Sequence, residues 1–206
     1  MDEMAKAMSG QIPVKPDVMG IAQSARAALK GKGPAPVHLW NPPFLGDIDM
    51  RIARDGTWYH EGAPIRRPAM VRLFSSILRK DGADYFLVTP VEKLGITVED
   101  APFVATDVTR EGAGDGQVLV FETHVGDRVE AGPDHPIRVE IDAQSQEPAP
   151  YVLVRGGLEA RIDRKSFYRM VEWGEEAGQG EERWFGVRSG GMFFAMVRAE
   201  DLSGAG

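Results

Sequence analysis

The 206-residue chain has no cysteine, which excludes disulfides, thiolate nucleophiles, zinc ribbons and iron–sulfur clusters and suits a reducing compartment. It also lacks a long apolar run. The longest, such as Met192 to Val197, is six residues, far below the ~20 that cross a bilayer as a helix, so no membrane span is expected. Positive charge is short, since 24 Lys and Arg against 31 Asp and Glu leave a formal charge of -7. Such a field does not gather nucleic-acid polymers or an anionic membrane surface, and any anion site has to be a local exception. The start does not read as a secretory signal, because Asp2 and Glu3 stand where positive charge belongs and no apolar core follows. These absences together predict a cytoplasmic protein.

What is present can fold without staples. A 43% hydrophobic chain of this length suits one or two domains and buries roughly 70% of its unfolded surface. Behind Asp17, the apolar positions Val18, Ala22, Ala25 and Leu29 recur at helical spacing and predict a helix over 17–30. Gly31, Gly33, Pro34 and Pro36 break it and make 31–38 a linker. Next, Ile48, Met50 and Ile52 alternate with Asp49, Arg51 and Ala53, Asp55-Gly56 supplies a turn, and Thr57-Trp58-Tyr59 returns. Asp47 and Asp49 therefore belong to the solvated face of a hairpin, and Asp55 to its turn.

Pro68 opens a second helix, expected to reach about Arg79 and to be ended by Asp81-Gly82. Met70, Leu73, Phe74, Ile77 and Leu78 form its buried side; Arg72, Ser75, Ser76 and Arg79 share the other. A meander of antiparallel strands is expected near 85–89, 95–98, 103–108, 118–123 and 137–141. AQSQEPAP, residues 143–150, reads as a linker or long loop. After it come a hairpin about Gly156-Gly157 and a helix capped by Asp163 that carries Phe167, Met170 and Val171. A Glu/Gly loop then precedes a strand from Trp184 to Arg188.

The second half repeats the order of the first. Gly56 to Val71 is 15 residues and Gly157 to Val171 is 14, with the copies about 100 apart. The expected fold class is α+β with two related domains, each of antiparallel strands and a packed helix. The expected division is an N-terminal helix and linker over 1–38, a hairpin–helix–strand domain over 39–98, and a domain over 99–206 holding the remaining strands and the second hairpin and helix.

Few motifs carry chemistry. GAGDG at 112–116 is followed by the strand-forming Gln117 to Phe121 rather than a helix, so it reads as a hairpin loop and not a dinucleotide fingerprint. Ser189-Gly190-Gly191 reads as a turn, and no P-loop or nucleophile elbow occurs. His38, His60, His124 and His135 lack metal-ligand spacing. His124, Asp127 and His135, or a carboxylate pair from Glu92, Glu99 and Asp100, are the groups on which a hydrolase would draw. The better-motivated feature is arginine at helix starts: Arg66 and Arg67 before the first of these helices, Arg161, Arg164 and Lys165 at the second. Cations there oppose the dipole, so they are either paired with neighbouring acids or hold an anion.

The runs GDIDMRI and LVTPVEK, within residues 41–103, together with VGDRVEAGPDHPIRVE and VRGGLEARIDRKSFY, resemble the proteobacterial domain-of-unknown-function family 1285 over about residues 36–197. The resemblance implies a duplicated two-domain α+β architecture whose C-terminal half is pleckstrin-homology-like. It also implies a pocket at the domain interface suited to a nucleotide-like ligand, and a signalling role. It carries over no catalytic residue.

The expected function is thus a binding module for a small anion, nucleotide-like ligands included, held at the domain interface and read by a signalling protein. Arg66, Arg67, Arg72, Lys93, Arg161 and Arg164 are the candidates for the anion, with Trp58 for stacking. No cofactor, metal or catalytic residue is assigned. The alternatives are a carboxylate or His-metal hydrolase and a protein-interaction adaptor.

Overall fold

A computed structural model describes residues 18–29, 34–142, 145, 147–179 and 182–200. α1 (Val18–Ala28) follows the apolar stripe, with Val18, Ile21, Ala22 and Ala25 buried. Asp17 and Lys30 lie outside the described residues. After a 3-10 turn at Val37–Leu39 come β1 (Phe44–Ile52), β2 (Trp58–His60), β3 (Ala63–Pro64), α2 (Pro68–Ser76), β4 (Leu78–Asp81), β5 (Asp84–Val88) and β6 (Lys93–Val98). These six strands form one sheet in the order β3-β2-β1-β6-β5-β4. The predicted alternation in β1 holds, with Met50 and Ile52 buried and Asp47 and Asp49 exposed. Gly56 takes the turn at φ +83°, a conformation that favours glycine.

The second sheet is built from β7 (Phe103–Glu111), β8 (Val118–Thr123), β9 (Arg128–Glu130), β10 (Ile137–Ile141), β11 (Pro148–Arg155) and β12 (Leu158–Ile162), in the order β10-β11-β12-β7-β8-β9. Both sheets have one design. Two three-stranded antiparallel meanders meet at a central parallel pair, β1 with β6 and β12 with β7. The expected all-antiparallel meander is therefore corrected at the centre of each sheet. α3 (Arg164–Glu172) follows β12, and β13 (Glu175–Gln179), β14 (Glu182–Ser189) and β15 (Met192–Arg198) form a third sheet. The chain thus holds two repeated units of antiparallel-rich strands and a helix, an α+β composition. The hairpin–helix–strand order recurs at the expected offset, but the helix sits within the first sheet unit and after the second.

Three boundaries differ from expectation. The helix opened by Pro68 stops at Ser76, and Leu78–Asp81 pairs with Asp84–Val88 instead. Adjacent Ile77 and Leu78 suit a helical stripe, but the hydroxyls of Ser75 and Ser76 bond back to the Arg72 and Leu73 carbonyls, a competition that weakens a helix end. Ser75 is buried rather than solvent-facing, because Arg155 of the second unit reaches its carbonyl at 2.9 Å. Pro148 to Pro150, read as linker, are the start of β11 and pair with β10. Glu175–Gln179, within the expected Glu/Gly loop, are likewise a strand. β13 lies at a sheet edge, with Glu175 and Glu176 bonded to Arg188 and Arg183 of β14, charge being how edges are kept from further pairing.

One contiguous apolar core runs through both units, from Ile21 and Phe74 to Phe103, Phe121, Met170 and Val187. α3 contributes Met170, whereas Val171 is exposed rather than buried. Gly190 closes the β14–β15 turn at φ +55°, and a Cβ there would lie 2.8 Å from the Ala131 carbonyl oxygen. Gly190→Ala combines strain with a backbone clash, so it should lower stability by ~1–3 kcal/mol, read as a drop in urea midpoint at unchanged slope.

Candidate functional site

The two helix starts are built differently. α3 has its cap, since the Asp163 carboxylate accepts from the Ser166 amide at 2.8 Å. Its arginines are engaged: Arg161 donates to Asp100 at 2.5 Å and Arg164 to the Tyr168 hydroxyl at 3.0 Å. A hollow of about 520 Å³ lies there, with Arg54 and Asp55 of the β1–β2 turn on one wall and Phe167 and Tyr168 on the other. Arg54 is held by Asp142 at 3.1 Å, and the acid-paired reading applies at α3 to Arg161, whereas Arg164 meets the neutral Tyr168 hydroxyl.

α2 has no such cap. Its N-cap residue is Arg67, which makes no capping hydrogen bond, and Pro68 fills the first turn without an amide to donate. Arg66, Arg67 and Arg72 are exposed. Among the described residues, none of the three guanidinium groups has a hydrogen-bond, ion-pair or ring partner. Arg66 and Arg72 line a hollow of about 250 Å³ with Gly56, Trp58, His124 and Val125, so both units supply its walls. Gly56 fits there only as glycine, since a Cβ would meet the His124 ring at 3.2 Å and Val104 at 3.0 Å.

The remaining candidates fall elsewhere. Lys93 lines neither hollow; it pairs with Asp81 at 2.7 Å and lies over the Phe86 ring. Trp58 lines the α2 hollow but is only 1% exposed and stacks on Phe74 at 6.1 Å between centroids. Its ring face belongs to the core rather than to a ligand. The two hollows lie on either side of the β1–β2 turn and share no lining residue, so the two helix starts do not line one cavity.

Most of the residues named for hydrolysis are engaged by other partners. His124 Nδ1 accepts from the Val104 amide at 3.1 Å, His135 Nδ1 lies 3.0 Å from the Leu153 carbonyl, and Asp127 is bound by Arg155 at 2.5 Å. Among the described residues, no three His, Asp or Glu gather as metal ligands would. Glu99 bonds Arg51, and Asp100 bonds Arg161 and Tyr151. Burial holds the His124 ring below its usual range, opposed by the nearby Asp127 and Asp55. A depressed histidine binds fewer protons folded than unfolded, so stability should fall as pH drops from 6.5 through the folded value. His124→Gln should flatten the melting temperature across that range.

Sequence reasoning missed the groups joining the units. Arg155, held by Asp127 and lying over the Phe103 ring within its own unit, crosses to the Ser75 carbonyl of the other. Nothing local marks this arginine, because its partners lie 28 and 80 residues away in sequence.

The architecture defines a class of two-unit α+β proteins with twin six-stranded sheets and a basic hollow between the units. Residues 35–101 match the N-terminal domain of unknown function DUF1285, and residues 102–196 the C-terminal domain of the same proteins. The chain belongs to the DUF1285 family. A crystal structure of a DUF1285 family protein from Silicibacter pomeroyi DSS-3 is 60% identical, with a TM-score of 0.83 over 92% of this chain and 100% of that one. A second, from Shewanella baltica OS155, is 26% identical, with a TM-score of 0.48 over 61% of this chain and 91% of that one. No match is found among curated proteins.

Proposed function

We propose that the protein is a binding module for a small phosphate- or carboxylate-bearing anion, seated between the two units at the start of α2. The observation that carries this reading is the unpartnered set Arg66, Arg67 and Arg72 at an uncapped helix start, on a chain of net charge -7. Free guanidinium groups beside uncompensated helix amides attract an anion twice over, through charge and through directed N–H donors. Arg161 and Arg164 are engaged at their own helix, so within the original candidate set the ligand falls to Arg66 and Arg72, with Arg67 at the rim. A cavity of about 250 Å³ holds a phosphate and part of what it is attached to, nucleotide-like ligands included. Walls from both units make their relative position sensitive to occupancy, the property a cytoplasmic signalling module would use.

Titration calorimetry with orthophosphate, AMP and ADP tests this directly. Heat is expected from at least one of them, with a raised melting temperature. Arg66→Ala/Arg72→Ala should weaken that binding by ~10-fold or more, as expected for loss of charge-assisted bonds of ~1.5–3 kcal/mol each. Absence of heat and of any melting shift with all three would overturn the reading.

A further inference from the structure

The α2 hollow does not end at Arg72. Arg72 and Val125 also line a second hollow of about 380 Å³, on the Arg155–Asp127 bridge. Pro34, Ser76 and Arg155 in turn are shared between that hollow and a third of about 600 Å³. The three therefore adjoin in series between the units, from the first residue of α2 past its last to β4, with Arg155 reaching the Ser75 carbonyl where the second meets the third; together they make a segmented groove. The nine residues of α2 alone span ~13 Å at 1.5 Å per residue, so the groove is longer than any single phosphate.

Its chemistry changes along its length. In the first hollow stand the free guanidinium groups of Arg66, just before α2, and Arg72, in its second turn. Asp127 in the middle is neutralised by Arg155 at 2.5 Å. The far hollow is walled by Ala35, Val37, Leu78 and Leu158, with Lys80 among its lining residues. Arg79 and Asp81 there bind each other at 2.8 Å. Lys80 has a ring contact with Tyr85 at 5.3 Å and no acid partner among the described residues. The uncompensated charge of the groove is thus positive at both ends, with apolar walls beside the second.

We infer that the groove takes an elongated ligand with two anionic groups joined by an apolar spacer, one anion at Arg66 and Arg72 and the other at Lys80. This rests on the small-anion reading at α2 and extends it by a second contact point. A ligand that reaches both converts the second contact into an intramolecular one, which raises affinity by ~10²–10⁴ when the spacer matches the span. Apolar walls reward an apolar spacer, and the half-open form of a groove suits a long molecule lying along it.

Alkane bisphosphonates of short (butane) and long (dodecane) spacer, with orthophosphate as reference, test the inference by calorimetry on the full chain. The dodecane compound is expected to bind ~100-fold more tightly than the butane compound. Lys80→Ala should abolish that ratio while leaving orthophosphate binding unchanged, and Arg66→Ala/Arg72→Ala should weaken every compound. Equal affinity for the two spacers, or a ratio that survives Lys80→Ala, overturns the two-ended ligand and leaves the small-anion reading standing. Failure of all three compounds to bind overturns both.

Discussion

Trp58→Ala should lower the stability of the protein by ~3–5 kcal/mol, the loss typical of truncating a large buried aromatic. Trp58 is 1% exposed and Phe74, on which it stacks, is fully buried. The pair ties the β2 strand to α2, so truncation opens a cavity where the first sheet meets its helix. Trp58→Phe separates the contributions. The indole Nε1 is buried without a hydrogen-bond partner, and leaving such a donor unpaired costs ~1–3 kcal/mol. Phenylalanine keeps part of the stack and removes that cost, so its net effect should stay within ~1.5 kcal/mol, the range of tolerated core swaps. Urea unfolding followed by far-ultraviolet circular dichroism reads both. A loss below ~1 kcal/mol for Trp58→Ala, where core truncation predicts several, would return the ring to the candidates for stacking on a ligand.

Trp58 also marks how far the sequence can be read. Period-two alternation in β1 and period-3.6 spacing in α1 are local, and both elements stand where that patterning puts them. So do the Asp55-Gly56 turn and the Asp163 cap, since each depends on a side chain bonding an amide two or three residues away. The α2 end was illegible because Ile77-Leu78 fits both periods and the pairing of Leu78 with Leu87 decides the outcome. The parallel pairs β1–β6 and β7–β12 join strands tens of residues apart, and no local pattern distinguishes a parallel from an antiparallel partner. The same limit governs the site. That arginines crowd both helix starts is plain in the sequence, yet which of them are free depends on distant acids. Asp100 engages Arg161 across 61 residues, whereas among the described residues no acid pairs with Arg66 or Arg72. Trp58 was misjudged for the same reason: its neighbour Phe74 arrives from another element.

Asp100→Ala should be the most damaging polar substitution, at ~3 kcal/mol, the low end of what removing one partner from a buried ion pair costs. The Asp100 carboxylate, at the junction of the two units, accepts from Tyr151 at 2.7 Å and Arg161 at 2.5 Å, with Arg54 3.7 Å away. The low end applies because the Asp100 side chain is 12% and that of Arg161 24% exposed. Arg161→Ala should cost less, since Asp100 retains Tyr151 and Arg54. An alkaline titration gives a second readout. Burial, aided by the hydrogen bond to Asp100 and its charge, pushes the Tyr151 hydroxyl from 10.0 up to about 12. The folded value lies above the unfolded one, so this contribution is complete below pH 10 and fades as pH rises through 12. In Asp100→Ala the phenol should titrate nearer its ordinary value, with a shallower loss of stability across that window. Orthophosphate binding at α2 should persist in folded Asp100→Ala, because Asp100 and Arg161 serve the junction and not the anion. A folded Asp100→Ala protein that binds phosphate markedly more tightly would instead place the ligand in the α3 hollow, beside the arginine that Asp100 had been holding.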